Sequence, residues 1–236
     1  MAKRVAALLL SVKRDSGASS IDISNNLNVD RSAISVMHLG VDTELFRPLP
    51  EKKREPHRLM TTASADAPLK GLSVLLHAIA SLRSDYPDIR LTLVGRPRPG
   101  GDTEKLIAAL GLGELVQCYK GISHQEMVEK YADASIAVVP SLYEGFGLPA
   151  IEAMACGVPL VSSDGGALAE VVEDAGLVVP AGDSQGLADA IRRLFEDDNL
   201  RTDVASRGLS RVEQHFCWNR CAERMEAYYR ERIAAC

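Results

Sequence analysis

Two glutamates, Glu144 and Glu152, flank a glycine-containing stretch in an E-x7-E spacing. Gly145 and Gly147 lie between them, and Pro149 follows, which is typical of a loop that enters a helix at its first turn. The backbone N–H groups and the positive dipole at such a helix start favour an anion such as a diphosphate. Carboxylates would repel that anion, but they accept hydrogen bonds from hydroxyl groups. Diphosphate, sugar hydroxyls and a ribose diol occur together in a nucleotide sugar.

The elements that must position these residues form a regular alternation after residue 55. Apolar runs predict strands at 58–63, 90–94, 115–119, 136–139, 159–162 and 177–179. Helices are predicted at 71–84, 102–110, 123–132 behind a capping box, 148–156, and over most of 184–233 with a break near 215–219. This pattern predicts an α/β fold, a Rossmann-like parallel sheet with helices on both faces. Ligands bind beyond the carboxyl ends of such strands, so we expect the site in the loops at 64–70, 95–101 and 141–148.

The first 45 residues contain too few apolar elements to bury a core of their own. We expect a strand at 5–10, a weak helix at about 21–27 and a strand at 34–38, followed by linker-like segments at 39–42 and 48–50. The chain therefore divides into an arm and hinge, residues 1–45, and a nucleotide-sugar-binding domain, residues 46–236. We interpret the arm as the tail of a larger protein. Its strand at 5–10 would have an unpaired edge, which makes a homodimer through the arm a candidate assembly.

The composition, 46% hydrophobic and 25% charged, is that of an ordinary soluble protein. A net charge of −5 argues against a nucleic-acid partner. The five cysteines are odd in number and lack CxxC pairs, so we expect neither a disulfide framework nor a zinc site. The apolar stretch near the N terminus is too short for a signal peptide or a membrane span, so we expect a cytoplasmic protein.

The stretch at 140–159 resembles the E-x7-E signature of the family-four retaining glycosyltransferases. Residues 39–42 resemble the hinge of that family, and residues 70–72 resemble its phosphate-binding lysine motif. The turn at 163–166 is a weaker match. The resemblance extends from about residue 34 to the C terminus. It implies a GT-B fold, of which this chain would be the C-terminal, donor-binding half and the arm, residues 1–45, the remnant of an absent acceptor domain.

The resemblance also implies roles for individual residues. Glu144 would hold hydroxyls of the transferred sugar, and Lys70 would neutralise the diphosphate, which makes these two the candidate catalytic residues. Glu152 would hold the ribose hydroxyls. The other implied substrate-binding residues are Gly145, Phe146, Gly147 and Leu148 at the diphosphate or sugar, Ile122 near the base, and Ser64 and Gly95 in the neighbouring loops.

One departure from the family pattern concerns the phosphate clamp. The family places an arginine five or six positions before the lysine, where this chain has Ala65 and Ser64. Donor affinity is therefore in question, and Arg96 and Arg98 are candidate replacements for the absent arginine.

These features predict a glycosyltransferase that transfers a sugar from a nucleoside-diphosphate sugar to an unknown acceptor with retention. The resemblance implies that no metal ion or other cofactor is needed, because Lys70 and the loop amides would stabilise the leaving diphosphate. The absence of an Asp-x-Asp motif agrees with this expectation. A separate N-terminal-type domain is a candidate partner. The alternatives are a non-catalytic nucleotide-sugar-binding module or a truncated fragment that is inactive alone. A dinucleotide-binding domain of the epimerase type is disfavoured, since no Gly-x-Gly-x-x-Gly motif follows a strand.

Overall fold

The computed structural model of this chain describes residues 12–14, 16–27, 30, 34–63 and 67–234. The strands are β1 Val12–Arg14, β2 Ile34–Val36, β3 Arg58–Thr62, β4 Arg90–Val94, β5 Val116–Tyr119, β6 Ile136–Val139, β7 Leu160–Ser163 and β8 Leu177–Val179. The α-helices are α1 Gly17–Leu27, α2 Leu72–Leu82, α3 Asp102–Ala109, α4 His124–Asp133, α5 Leu148–Ala155, α6 Leu168–Val172, α7 Ser184–Glu196, α8 Asp198–Arg211 and α9 Trp218–Ala234. A 3₁₀ turn at Pro68–Lys70 precedes α2, and a π-helical turn at Val212–Phe216 separates α8 from α9.

Six strands form one parallel sheet in the order β5-β4-β3-β6-β7-β8. The chain adds β4 and β5 on one side of β3 and then crosses to β6 on the other side, so the strand order reverses between β3 and β6. Ligands of open α/β sheets bind at this reversal, beyond the carboxyl ends of the strands. The loop after β3 contains Lys70 and the loop after β6 contains Glu144. The predicted Rossmann-like fold is confirmed, and it brings these two loops together.

The sheet is covered on both faces, which explains why β6, at its centre, is apolar throughout. All four residues of β6 are buried. Ile136 and Val138 belong to one buried cluster, and Ala137 and Val139 belong to the other, because successive residues of a strand point to opposite faces. A strand covered on both faces has no solvent-facing positions and so shows no polar alternation.

The arm forms a small unit of its own in which β1 and β2 pair in parallel, with Val12 opposite Ile34. The predicted strand at 5–10 lies outside the described residues. Helix α1 begins at Gly17, earlier than the predicted start near residue 21. The reason is that the Ser16 hydroxyl accepts a hydrogen bond from the Ser19 N–H at 3.0 Å and caps the first turn.

The segment predicted to be a linker is packed against the C-terminal part of the chain. The Val41 N–H donates to the Phe216 carbonyl at 2.7 Å, and Val41 forms a parallel β-bridge with Cys217. Phe46 is buried. Residues 39–42 are therefore held where the chain breaks between the π-helical turn and α9, a break that falls within the predicted interval. Within the described ranges, no helix is both long and apolar enough to cross a membrane.

Candidate functional site

Helix α5 starts directly from the loop after β6, residues 140–147, which we call the β6–α5 loop. Gly147 is its N-cap with φ of 108°, and Pro149 lies in the first turn. A side chain at Gly147 would come within 2.9 Å of Leu168, so only glycine fits this bend. The Gly147 and Leu148 amides donate to no group in the described part of the chain. These two donors lie at the positive end of α5, where the sequence predicts an anion site.

Lys70 and Glu144 form an ion pair at the sheet reversal. The Lys70 Nζ lies 2.7 Å from Glu144 Oε2, and the side chains are 29% and 13% exposed. The Ser141 hydroxyl donates to the same carboxylate oxygen at 3.3 Å. The structure therefore joins the two candidate catalytic residues directly. It adds Ser141, the first residue of the predicted site loop at 141–148, which was not itself a predicted site residue.

The backbone of the 3₁₀ turn is packed tightly against the β6–α5 loop. The Leu142 N–H donates to the Leu69 carbonyl at 2.8 Å. Gly71 has φ of 63°, and a Cβ at this position would lie 1.9 Å from the Pro140 carbonyl oxygen. Any other residue would push the two loops apart. The glycine that follows the lysine in residues 70–72 is thus required for the approach of Lys70 to Glu144.

The turn that follows β7 supports the β6–α5 loop from the other side. The Ala167 N–H donates to the Glu144 carbonyl at 2.9 Å. Gly166 has φ of 65°, and a Cβ there would lie 2.3 Å from the same carbonyl oxygen. A Cβ at Gly165 would lie 2.2 Å from the Ser141 carbonyl oxygen. The sequence analysis treated this turn as a weak match, but the structure packs it directly beneath Glu144.

Glu152 lies in the second turn of α5 in a desolvated position. The Tyr131 hydroxyl donates to Glu152 Oε2 at 3.3 Å. Burial raises the pKa of Glu152 to about 7, and the hydrogen bond from Tyr131 lowers it by a smaller amount. Burial also raises the pKa of Tyr131. Tyr131 was not predicted as a site residue from the sequence. The signal available there was a hydroxyl-bearing residue on the apolar stripe of the capped helix α4.

A cleft of about 300 Å³ opens beside these residues, between β3, β4, α4 and α5. It is lined by Thr62, Ala63, Lys70, Val94, Met127 and Pro149. The cleft thus runs from the cation of the Lys70–Glu144 pair to the first turn of α5. A ligand in it would have an apolar wall on the β4 and α4 side and charged or polar groups on the other.

Three further predicted site residues are Gly95, Ile122 and Ser64. The Gly95 N–H donates to the Tyr119 carbonyl at 2.7 Å, and a Cβ on Gly95 would lie 2.0 Å from the Ala63 carbonyl oxygen. Its amide is therefore used within the sheet, and its glycine is explained by packing. Ile122 is half-buried immediately before the helix cap of α4, and Ser64 lies outside the described residues.

The side chain of Phe146 points into the protein. It is buried and packs near the rings of His38, at 5.9 Å, and Phe216, at 6.0 Å between centroids. Only the backbone of Phe146 remains for a ligand. Arg96 and Arg98, the candidate replacements for the missing arginine, are both exposed in the loop after β4.

The N-terminal arm also touches the β6–α5 loop. Ser16 and Ser19 of α1 both donate hydrogen bonds to the Gly145 carbonyl, at 2.6 and 3.0 Å. Sequence reasoning missed both serines because it placed the start of α1 later. A serine that caps a helix was the signal available in the sequence.

The sequence and the fold both match known proteins. Residues 45–211 match the family profile of the "Glycosyl transferases group 1". The MMP α-(1→4)-mannosyltransferase of Mycolicibacterium hassiacum is 43% identical over 243 residues, which cover 100% of this chain and 58% of that protein. The D-inositol 3-phosphate glycosyltransferase of Nocardioides sp. is 33% identical over 88% of this chain and 51% of that protein. The chain thus spans a little over half the length of these curated relatives.

Two solved structures of similar fold also extend beyond the part that this chain matches. Sucrose-phosphate synthase from Thermosynechococcus elongatus superposes with a TM-score of 0.77 at 30% identity, over 98% of this chain and 61% of that one. Anabaena Alr3699/HepE, solved in complex with UDP and glucose, superposes with a TM-score of 0.81 at 22% identity, over 93% of this chain and 62% of that one. The second likeness shows a shared fold.

Proposed function

Because the chain belongs to the group 1 glycosyl transferases, we propose that its β6–α5 loop binds a nucleoside-diphosphate sugar. In the whole protein, the sugar would be transferred to an acceptor with retention. The observation that carries the proposal is the juxtaposition of the Lys70–Glu144 ion pair with the two available amides at the start of α5. This arrangement offers positive charge to a diphosphate and carboxylate oxygens to hydroxyl groups within one cleft.

The Lys70 ammonium can donate hydrogen bonds to Glu144 and to a bound diphosphate at the same time. An ammonium group has three N–H donors, and Glu144 takes one of them at 2.7 Å. A diphosphate at the start of α5 would take another, so the lysine would screen the repulsion between the carboxylate and the anion. Glu144 would then accept hydroxyls of the transferred sugar, and Glu152 would accept the ribose diol.

Departure of the nucleoside diphosphate would be stabilised by groups that are already in place. The loop amides are fixed by the start of α5, and Lys70 is fixed by its ion pair. Preorganised donors of this kind lower the energy of developing negative charge without reorganisation. We therefore propose that neither donor binding nor transfer needs a metal ion.

Calorimetric titration of the 236-residue chain with UDP, GDP and ADP, and with their glucose and mannose conjugates, tests donor binding. We expect at least one nucleotide to bind saturably, with the same affinity when EDTA is present. Lys70→Ala should weaken diphosphate binding by about ten-fold or more, since a hydrogen bond between charged groups is lost. Glu152→Ala should weaken nucleotide binding by a similar factor. Lys105→Ala, which removes an exposed lysine of α3, is the control for net charge and should leave affinity unchanged.

Absence of saturable binding to every nucleotide would contradict the proposal. Equal affinities for the wild type and the two site variants would also contradict it. Assays of transfer and donor hydrolysis, with and without a separately supplied N-terminal-type domain, separate an enzyme from a binding module. Binding that is lost in the variants but is never accompanied by transfer would favour the non-catalytic module.

A further inference from the structure

The first turn of α1 lies directly on the β6–α5 loop, and two serine hydroxyls make the contact. Ser16 is fully buried, and its Oγ lies 2.6 Å from the Gly145 carbonyl oxygen. Ser19 Oγ lies 3.0 Å from the same oxygen. The two hydroxyls are 2.9 Å apart and form one small network. Both lone pairs of the Gly145 carbonyl are thus accounted for by the arm.

The first turn of α1 also contacts α6, the helix that follows the turn after β7. The Gly17 N–H donates to Glu170 Oε1 of α6 at 2.8 Å, which places a carboxylate at the positive end of α1. Helix α6 follows the turn whose Ala167 N–H holds the Glu144 carbonyl. The arm, the turn after β7 and the β6–α5 loop are therefore connected through backbone groups on both sides of Gly145.

These contacts fix the direction of two peptide groups. The peptide bonds of the loop are trans and planar, so each carbonyl points opposite to the N–H of the next residue. The Glu144 carbonyl is held by Ala167, which turns the Gly145 N–H away from α6. The Gly145 carbonyl is held by Ser16 and Ser19, which turns the Phe146 N–H away from α1. In the described part of the chain, neither N–H donates to another protein group.

We propose that Ser16 and Ser19 are positioning residues that orient the Gly145–Phe146 peptide so that its N–H faces the diphosphate of the donor. The inference rests on the proposed function and extends it to the arm. A glycine is otherwise free to rotate this peptide, and rotation would turn a carbonyl oxygen toward the anion in place of an N–H donor. Docking of α1 therefore sets whether the loop attracts or repels the diphosphate.

A neighbouring serine provides a matched control on the same helix. Ser20 is also buried, but its hydroxyl donates to the Gly17 carbonyl within α1 at 2.9 Å. Ser20→Ala removes a buried hydroxyl of the arm without touching the β6–α5 loop. It reports the effect of weakening α1 itself.

The test compares the wild type, Ser16→Ala, Ser19→Ala, the double variant and Ser20→Ala. For each protein, calorimetry gives the affinity for the nucleoside diphosphate that binds the wild type tightest, and competition gives the affinity for the corresponding nucleoside. We expect the double variant to lose about ten-fold in diphosphate affinity and Ser19→Ala to lose about three-fold, in line with one or two hydrogen bonds. Nucleoside affinity should be unchanged in all five proteins, and Ser20→Ala should match the wild type throughout.

The outcomes separate this inference from the proposed function. A wild type that binds no nucleotide contradicts the proposed function and this inference with it. A wild type that binds, together with serine variants of equal diphosphate affinity, overturns only the positioning role. Equal losses for nucleoside and diphosphate, or a matching loss in Ser20→Ala, would also overturn it, because they indicate general loosening. If the double variant fails to fold, the Ser19→Ala variant, which changes only a half-buried residue, is used in its place. Its diphosphate and nucleoside affinities are compared with those of the wild type and of Ser20→Ala in the same way.

Discussion

Glu144 and Glu152 both carry carboxylates suited to hydroxyl groups, but their surroundings differ. Glu144 is paired with the ammonium of Lys70, whereas Glu152 faces the Tyr131 hydroxyl in a desolvated position. Because burial removes water from the charged form, the pKa of Glu152 rises to about 7. Hydroxyls that donate to this carboxylate would favour its ionised form. Donor binding should therefore release protons from Glu152 near neutral pH.

We predict that Glu152→Gln makes the free energy of unfolding less dependent on pH. The carboxyl ionises near 4.5 in the unfolded chain and near 7 in the folded one, so the folded protein holds more protons between these values. Stability is then lost as pH rises through this interval. Urea unfolding should show the wild type losing about 2–3 kcal/mol more than the variant between roughly pH 5 and pH 8.

Glu231→Gln serves as the control for this measurement because Glu231 is exposed on α9. Its pH profile should run parallel to that of the wild type. A Glu152→Gln profile that also runs parallel to the wild type would show that the buried carboxyl does not titrate in this range.

At the scale of elements, Arg54 joins the ends of two helices behind the site. Its guanidinium donates to the carbonyls at the end of α4 and to those at the end of α5. The acceptors are the carbonyls of Tyr131, Ala132, Ala134, Cys156 and Gly157, at 2.8–3.4 Å. The last carbonyls of a helix have no partner within the helix, although that of Tyr131 also accepts from the Ala134 N–H at 3.3 Å. Arg54 thus fixes α4 and α5, which carry Tyr131 and Glu152, relative to one another.

Arg54→Met should lower the free energy of unfolding by about 2–4 kcal/mol, because several half-buried carbonyls lose a charged donor. Arg83→Met is the matched control. Arg83 donates to Leu110 and Gly111 carbonyls after α3, but it is exposed, so water can replace it. Its loss should cost under about 1 kcal/mol. Chemical denaturation of both variants provides the comparison, and similar costs would contradict the role given to Arg54.

Gly71 is predicted to be required for the contact between the 3₁₀ turn and the β6–α5 loop. Gly71→Ala combines strain at φ of 63° with a Cβ that would lie 1.9 Å from the Pro140 carbonyl oxygen. Gly121→Ala has similar strain at φ of 67°, but no atom within 4 Å of the added Cβ. The Gly121 variant should lose about 1 kcal/mol of stability and keep its nucleotide affinity. The Gly71 variant should lose more stability and, because Lys70 moves away from Glu144, most of its diphosphate affinity.

Denaturation and calorimetry on the same two samples decide this prediction. Equal stability losses, or a Gly71 variant with wild-type nucleotide affinity, would show that the close packing of the two loops is dispensable.

At the scale of the whole molecule, the fold was largely predictable because the strands inside the sheet, β3, β4, β6 and β7, are mostly buried. The apolar runs at 90–94, 136–139 and 177–179 match β4, β6 and β8. The alternation of strands with helical stretches predicted a parallel sheet. The E-x7-E spacing identified the loop that lies at the sheet reversal. These signals are local in sequence, since each element buries its own apolar face.

The parts that could not be predicted depend on contacts between distant segments. The hydrogen bonds from Ser16 to Gly145 and from Arg54 to Gly157 span more than a hundred residues each. Single polar residues of this kind leave no periodic pattern. The turn at 163–166 looked like an ordinary tight turn because the carbonyls it packs against belong to another loop. Close backbone approach is visible only once both segments are placed.

The most direct measurement of the central claim is a crystal structure of this chain with the nucleoside diphosphate that binds it tightest. We expect diphosphate oxygens within hydrogen-bonding distance of the Gly147 and Leu148 amides and of the Lys70 ammonium. The ribose hydroxyls should donate hydrogen bonds to the Glu152 carboxylate. A diphosphate bound away from the start of α5, with Lys70 contacting only Glu144, would contradict it.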